Sequence, residues 1–237
     1  MSDSSNDITC ELPDLAPPPV EKSKSYYFDC VVFQVENKLY KLPRAYLAAV
    51  SPIFNDMFQI PPEDGQVTEG SESSHPICLY QTRVVDWERF LKVLFCKLYI
   101  DPPVEFGFDE WASVLKLSHR WEITTLQSLA IQKIESFHDH PSQKIYLARQ
   151  YHVPSFYLPS IGRLIARSEP ISLEDMKYLG AECALKIASI RERVVGQSKR
   201  HYPDSFYAQR RMLSESERPA FEREIFETFE DHEEYIS

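Results

Sequence analysis

Glycine is scarce in this chain. The six glycines among 237 residues (Gly65, Gly70, Gly107, Gly162, Gly180 and Gly196) never cluster. A loop that cradles phosphate with its backbone N–H groups needs glycines close together, so a P-loop is excluded. There is no G-x-S-x-G and no H-E-x-x-H, and nothing else pairs a nucleophile with a base. His138-x-His140, in "HDHP", has no matching pair elsewhere and reads as loop histidines; His119, beside Arg120 and Trp121, reads as a helix-end or core residue. The expectation is a protein without catalysis, metal or cofactor.

Four other shortages narrow the class. The five cysteines (Cys10, Cys30, Cys78, Cys96, Cys183) are odd in number and never form a C-x-x-C pair, which suits a reducing compartment and an intracellular protein of cytoplasm or nucleus. No stretch approaches the ~18 apolar residues of a membrane span. The opening "MSDSSNDITCELPDLAPPPVEKSKS" lacks the charged-then-apolar order of a secretion signal. Basic residues are outnumbered, 26 to 36, for a net charge of −10. Nucleic-acid binding needs a basic face that displaces counterions, so no direct nucleic-acid contact is expected, and no membrane.

What is present is globular: 43% hydrophobic and 13% aromatic residues. Residues 1–25 are polar and proline-rich and read as a disordered leader. "CVVFQV" (30–35) sets Val31, Phe33 and Val35 on one face, and "KLYKL" (38–42) follows after Glu36-Asn37. Asn37 tolerates a left-handed turn, so this reads as a hairpin. "QIPPEDGQVTEGSESSHP" (59–76) is a loop by composition, and "PICLYQT" (76–82) a short strand with Ile77 and Leu79 on one face.

From Asp86 the period becomes helical. Trp87, Phe90, Leu91, Leu94, Phe95 and Leu98 share one face. A second helix carries Trp111, Val114, Leu115, Ser118 and Trp121. A third, capped by Thr124 or Thr125, carries Leu126, Leu129, Ala130, Ile134 and Phe137. Beyond "HDHP" the helices are short: one opened by Pro141, one with Pro159 in its first turn, one with a Ser172/Asp175 capping box, then a pattern running through Leu179, Leu185, Ile187 and Ile190. Residues 198–237 form a charged tail. There Phe221, Ile225 and Phe229 keep amphipathic spacing, which suits either docking on the chain's own domain or a helix offered to a partner.

One stretch joins these parts. "LPRAYLAAVSPIFNDMF" (42–58) has helical spacing from Tyr46 to Phe58, yet Pro52 sits inside it. A proline within a helix costs roughly 3 kcal/mol. Ser51 as a cap and Pro52 as a first helical residue remove that cost, so the stretch reads as two short helices meeting at a corner.

With the hairpin before it and the strand and helices after it, this segment resembles the BTB/POZ domain over about residues 26–137. The resemblance is carried by Asp29, "VVFQV", Arg44 and "LAAVSPIFNDMF". "EGSESSHPICL", "EWASVLKLSHRW", "KIYLARQYHV" and "LGAECALKIASIRERV" look like the expanded fungal branch and extend the likeness to about residue 195. It implies an α+β fold, a small β-sheet flanked by short helices, followed by an all-α extension at 138–197.

The same resemblance implies protein binding without chemistry: a scaffold or adaptor that pairs as a homodimer or a BTB heterodimer. It offers Tyr46, Leu47, Val50, Ile53, Phe54, Met57 and Phe58 as the dimer interface, and Asp29 with Arg44 as a buried or half-buried ion pair near its seam. Phe108 and Glu110 have the form of a cullin contact, which makes a ubiquitin-ligase adaptor one alternative; a nuclear co-regulator working through a partner is another. The family usually carries a His before the Arg. Here Pro43 takes that place and alters the pocket.

Overall fold

The computed structural model describes residues 21–23, 27–61, 67–96, 105–199 and 228–229. Nearly all of the 1–25 leader, Leu98, Phe221 and Ile225 lie outside the described residues. Strands β1 (Cys30–Val35) and β2 (Lys38–Pro43) pair antiparallel, and β3 (Ile77–Cys78) pairs parallel with β1, giving the order β2-β1-β3. The hairpin is as read, but its left-handed residue is Glu36 (φ 51°) rather than Asn37. β3 is shorter than its apolar run because only Phe33–Ile77 and Gln34–Cys78 align, with Leu79 N–H closing the ladder on Gln34 O.

The segment before β3 is bound to the sheet rather than loose. Val32 N–H donates to Gly70 O (2.8 Å), and Gly70 N–H to His75 O (2.7 Å). Gly70 adopts φ +77°, and a Cβ there would stand 2.6 Å from Val31 Cγ2. Glycine alone meets both the backbone angle and the close approach.

Helices α1 (Arg44–Val50) and α2 (Pro52–Gln59) follow the hairpin, then α3 (Val84–Leu94), α4 (Phe108–Arg120) and α5 (Thr124–Glu135). The core lies between β1 and these helices. Phe33 meets Phe54 at 5.6 Å and Trp87 at 5.8 Å between ring centroids, and Phe54 stacks on Trp121 at 4.3 Å. Neither Thr124 nor Thr125 caps α5. Its N-cap is Ile123, whose side chain is apolar and buried, so the threonines fall inside the first turn.

The extension comprises α6 (Pro141–Tyr151), α7 (Pro154–Ala166), α8 (Leu173–Leu179) and α9 (Ala181–Lys199). α6 packs on α7 and α8, α9 packs on α7 and α8, and α4 touches α6. The Ser172/Asp175 capping box forms, and Arg167 reinforces it by pairing with Asp175. Pro159 is not in a first turn: Pro154 already opens α7, which leaves Pro159 inside the helix on an exposed face. Leu185 also departs from its expected stripe. Gly180 (φ +77°) ends α8 and α9 starts in a new phase, which leaves Leu185 68% exposed.

Candidate protein interaction surface

The corner at Ser51 sets the geometry. Ser51 N–H closes α1 on Leu47 O, and its hydroxyl accepts from Phe54 N–H (3.1 Å), which opens α2. The same hydroxyl donates to Trp121 O (2.6 Å), seventy residues on. Capping was legible from Ser-Pro. The bond to Trp121 was not, since a backbone carbonyl leaves no mark in a sequence. It fixes α1 and α2 against the end of α4.

The seven expected interface residues separate into two sets. Leu47 and Phe54 are fully buried in this chain's own core. They are corrected from interface to core, because a side chain already out of water gains nothing from a second copy. Tyr46, Val50, Ile53, Met57 and Phe58 are half-buried and pack against the core from outside. Tyr46 gives its hydroxyl to Leu94 O (2.9 Å) and its ring to Phe95 (5.2 Å). Ile60, directly after α2, is 69% exposed.

Arg44 Nε stands 3.0 Å from Asp29 Oδ2 without the alignment of a hydrogen bond, and the guanidinium lies over Phe58 at 4.9 Å. The expected pair is present but uneven, with the side chains 23% and 76% exposed. Asp29 is solvated, so the pair contributes at most about 1 kcal/mol. The backbone bond from Arg44 N–H to Asp29 O (2.9 Å) fixes the strand start independently of the charges.

Phe108 and Glu110 sit at the start of α4. Phe108 is 6% exposed, stacked on His140 (4.3 Å) and edge-on to Phe137 (6.0 Å), so its ring joins the sheet-bearing half to the extension. Glu110 is half-buried and receives Arg89 at 3.0 Å. That arginine also donates to Ser113 Oγ (3.0 Å), whose hydroxyl donates to Asp86 (2.8 Å). Asp86 is buried and further held by Arg83 (3.0 Å) and Lys116 (3.3 Å). Burial opposes its ionisation, but these partners outweigh it and hold the carboxyl below the usual range. The network was missed from sequence; its one trace was Arg83 three residues before Asp86 at a helix start.

His138 is exposed and accepts from Arg163 at 2.9 Å, and His119 is half-buried against Tyr151 at 5.4 Å. Among the described residues no group of three or more His, Cys, Asp or Glu could hold a metal ion, and no helix is long and apolar enough to cross a membrane.

A small mixed three-stranded sheet with flanking helices, two of them short and joined at a capped corner, is an α+β arrangement. Residues 21–138 match the family model of the BTB/POZ domain, and this half of the chain is a BTB/POZ domain. Such a domain is a protein–protein interaction module and not a catalytic one. No curated protein shows significant similarity to the chain.

Proposed function

We propose that the protein is a self-associating scaffold or adaptor whose contact with a second BTB chain, identical or related, runs over the outer faces of α1 and α2. The supporting observation is the remainder after core packing. Leu47 and Phe54 satisfy the core, while Tyr46, Val50, Ile53, Met57 and Phe58 keep an open apolar edge that Ile60 extends. A surface of that kind is typical of a contact site.

Ile53→Asp tests it with the far-ultraviolet circular dichroism spectrum as a check on folding. The expected result is a folded chain at half the molar mass by light scattering. A dimer that persists in Ile53→Asp and again in Ile60→Asp refutes this interface. Phe54→Asp is unsuitable, since it would probe the core.

The cullin-adaptor reading rests on Glu110 alone, because Phe108 is enclosed. A pull-down that recovers a cullin, and loses it in Glu110→Lys, would favour that reading over the general scaffold. Membership of the expanded fungal branch, with division at 138 and 198, rests on the motif likeness through residue 195. Placement in cytoplasm or nucleus rests on cysteine usage; co-regulation rests on the BTB/POZ resemblance, and the net charge of −10 makes it depend on a partner.

A further inference from the structure

The charged tail meets the described part of the molecule at Phe229. That ring is 1% exposed and lies edge-on to Tyr157 of α7, with centroids 6.3 Å apart and planes at 81°. Tyr157 is itself buried. Arg149 of α6 lies over the Tyr157 ring (5.5 Å), donates to its hydroxyl (3.2 Å), and donates to Leu179 O at the end of α8 (2.8 Å). Cys183, in the first turn of α9, is buried beside the same guanidinium; burial pushes its thiol up despite that neighbour. The ring thus sits on Tyr157, which Arg149 ties to the end of α8 beside the start of α9.

A buried phenylalanine removes about 150–250 Å² from water, and at 25 cal/mol per Å² that holds a segment firmly. The sequence around that ring has its own spacing and charge. Phe221, Ile225 and Phe229 recur at i, i+4 and i+8, one face of a helix. Residues 221–237 carry seven carboxylates and a single cation, Arg223. The four receiving helices are basic in sum: α6 and α7 carry Lys144, Arg149 and Arg163 and no acid, α8 carries Lys177 against Glu174 and Asp175, and α9 carries Lys186, Arg191 and Arg193 against Glu182 and Glu192.

We propose that the seat of Phe229 on the helical extension is a receptor for an acidic peptide with an aromatic residue, and that the tail's own Phe229 fills it as an intramolecular strap. Any partner presenting such a peptide competes with the strap. The strap, being tethered, acts at an effective concentration in the millimolar range, so a partner must bind strongly or be abundant to displace it. This surface is separate from α1 and α2, and the inference stands whether or not those helices mediate pairing.

The test uses the full chain and a fluorescein-labelled peptide of residues 218–237, read by anisotropy. Phe229→Asp vacates the receptor. The expected result is saturable binding to Phe229→Asp at least tenfold tighter than to the unaltered chain, weakened by added salt and lost in Phe229→Asp/Tyr157→Ala. Phe229→Ala replaces Phe229→Asp should the latter lose helical dichroism. Equal binding to unaltered and altered chains, or binding to neither, overturns the proposal. Blocking that fades as the unaltered chain is diluted would mean exchange of tails between two copies, and overturns the intramolecular strap as well.

Discussion

Around β1, aromatic rings hold the structure: Phe33, Phe54, Trp87 and Trp121 form one contiguous set of ring contacts, and Ser51 pins it by two hydrogen bonds. In α6–α9 the polar fastening runs from cations to carbonyl ends. Lys144 donates to Glu135 O (3.1 Å) at the end of α5, Arg149 to Leu179 O at the end of α8, and Arg191 to Leu164 O in the last turn of α7. Helix ends leave carbonyls unpaired and carry partial negative charge, so a cation there answers both needs. The two halves share one apolar core; rings gather in the first, and cations reach helix-end carbonyls in the second.

The largest expected effect breaks the first half. Phe54→Ala removes a fully buried ring that touches Phe33, Phe58 and Trp121. It should destabilise the fold by about 3–5 kcal/mol, measured by urea unfolding. A loss below 1 kcal/mol would mean that the cluster does not hold this half together. Next is Ser51→Ala, which removes a cap and leaves Trp121 O unpaired in a dry site. The expectation is a loss of about 2–4 kcal/mol, combining a cap of ~1 with an unsatisfied buried acceptor of about 1–3. Ser51→Thr, which keeps the hydroxyl, should recover part of it.

These two halves were also unequally legible. "LAAVSPIFNDMF" announces its corner because Ser and Pro have opposite and specific needs at a helix start, and the β1 alternation and the α3 and α4 stripes follow from period alone. Capping by Ser172 and Asp175 was readable for the same reason. What stayed hidden were contacts to backbone atoms and between distant charges: Ser51 to Trp121 O, Arg149 to Leu179 O, and the Asp86 network. Stripe reading also failed where a helix restarted, as at Gly180 before Leu185. The resemblance offered seven apolar residues of α1 and α2 as interface, but could not show which two, Leu47 and Phe54, turn inward.

The smallest expected effect compares the two halves through their buried carboxylates. Burial opposes ionisation of Asp175, but Arg167 and the Ser172 backbone and hydroxyl outweigh it, so its carboxyl is held well below the usual range; Asp86 is held down by Arg83, Ser113 and Lys116. A folded-state value below the unfolded one adds stability that is present above the unfolded value of about 3.9 and lost as pH falls through the folded one. Stability should therefore be level above pH 5 and decline below pH 4. The shift at Asp175 is the larger, so Asp175→Asn should flatten the acid limb more than Asp86→Asn, each costing about 1–3 kcal/mol at pH 7. Chemical denaturation at pH 7, 4 and 3 measures both. Equal acid limbs in the two variants and the parent would mean that neither half is pinned by its carboxylate, and the contrast between ring packing and charge would then rest on the cation-to-carbonyl bonds alone.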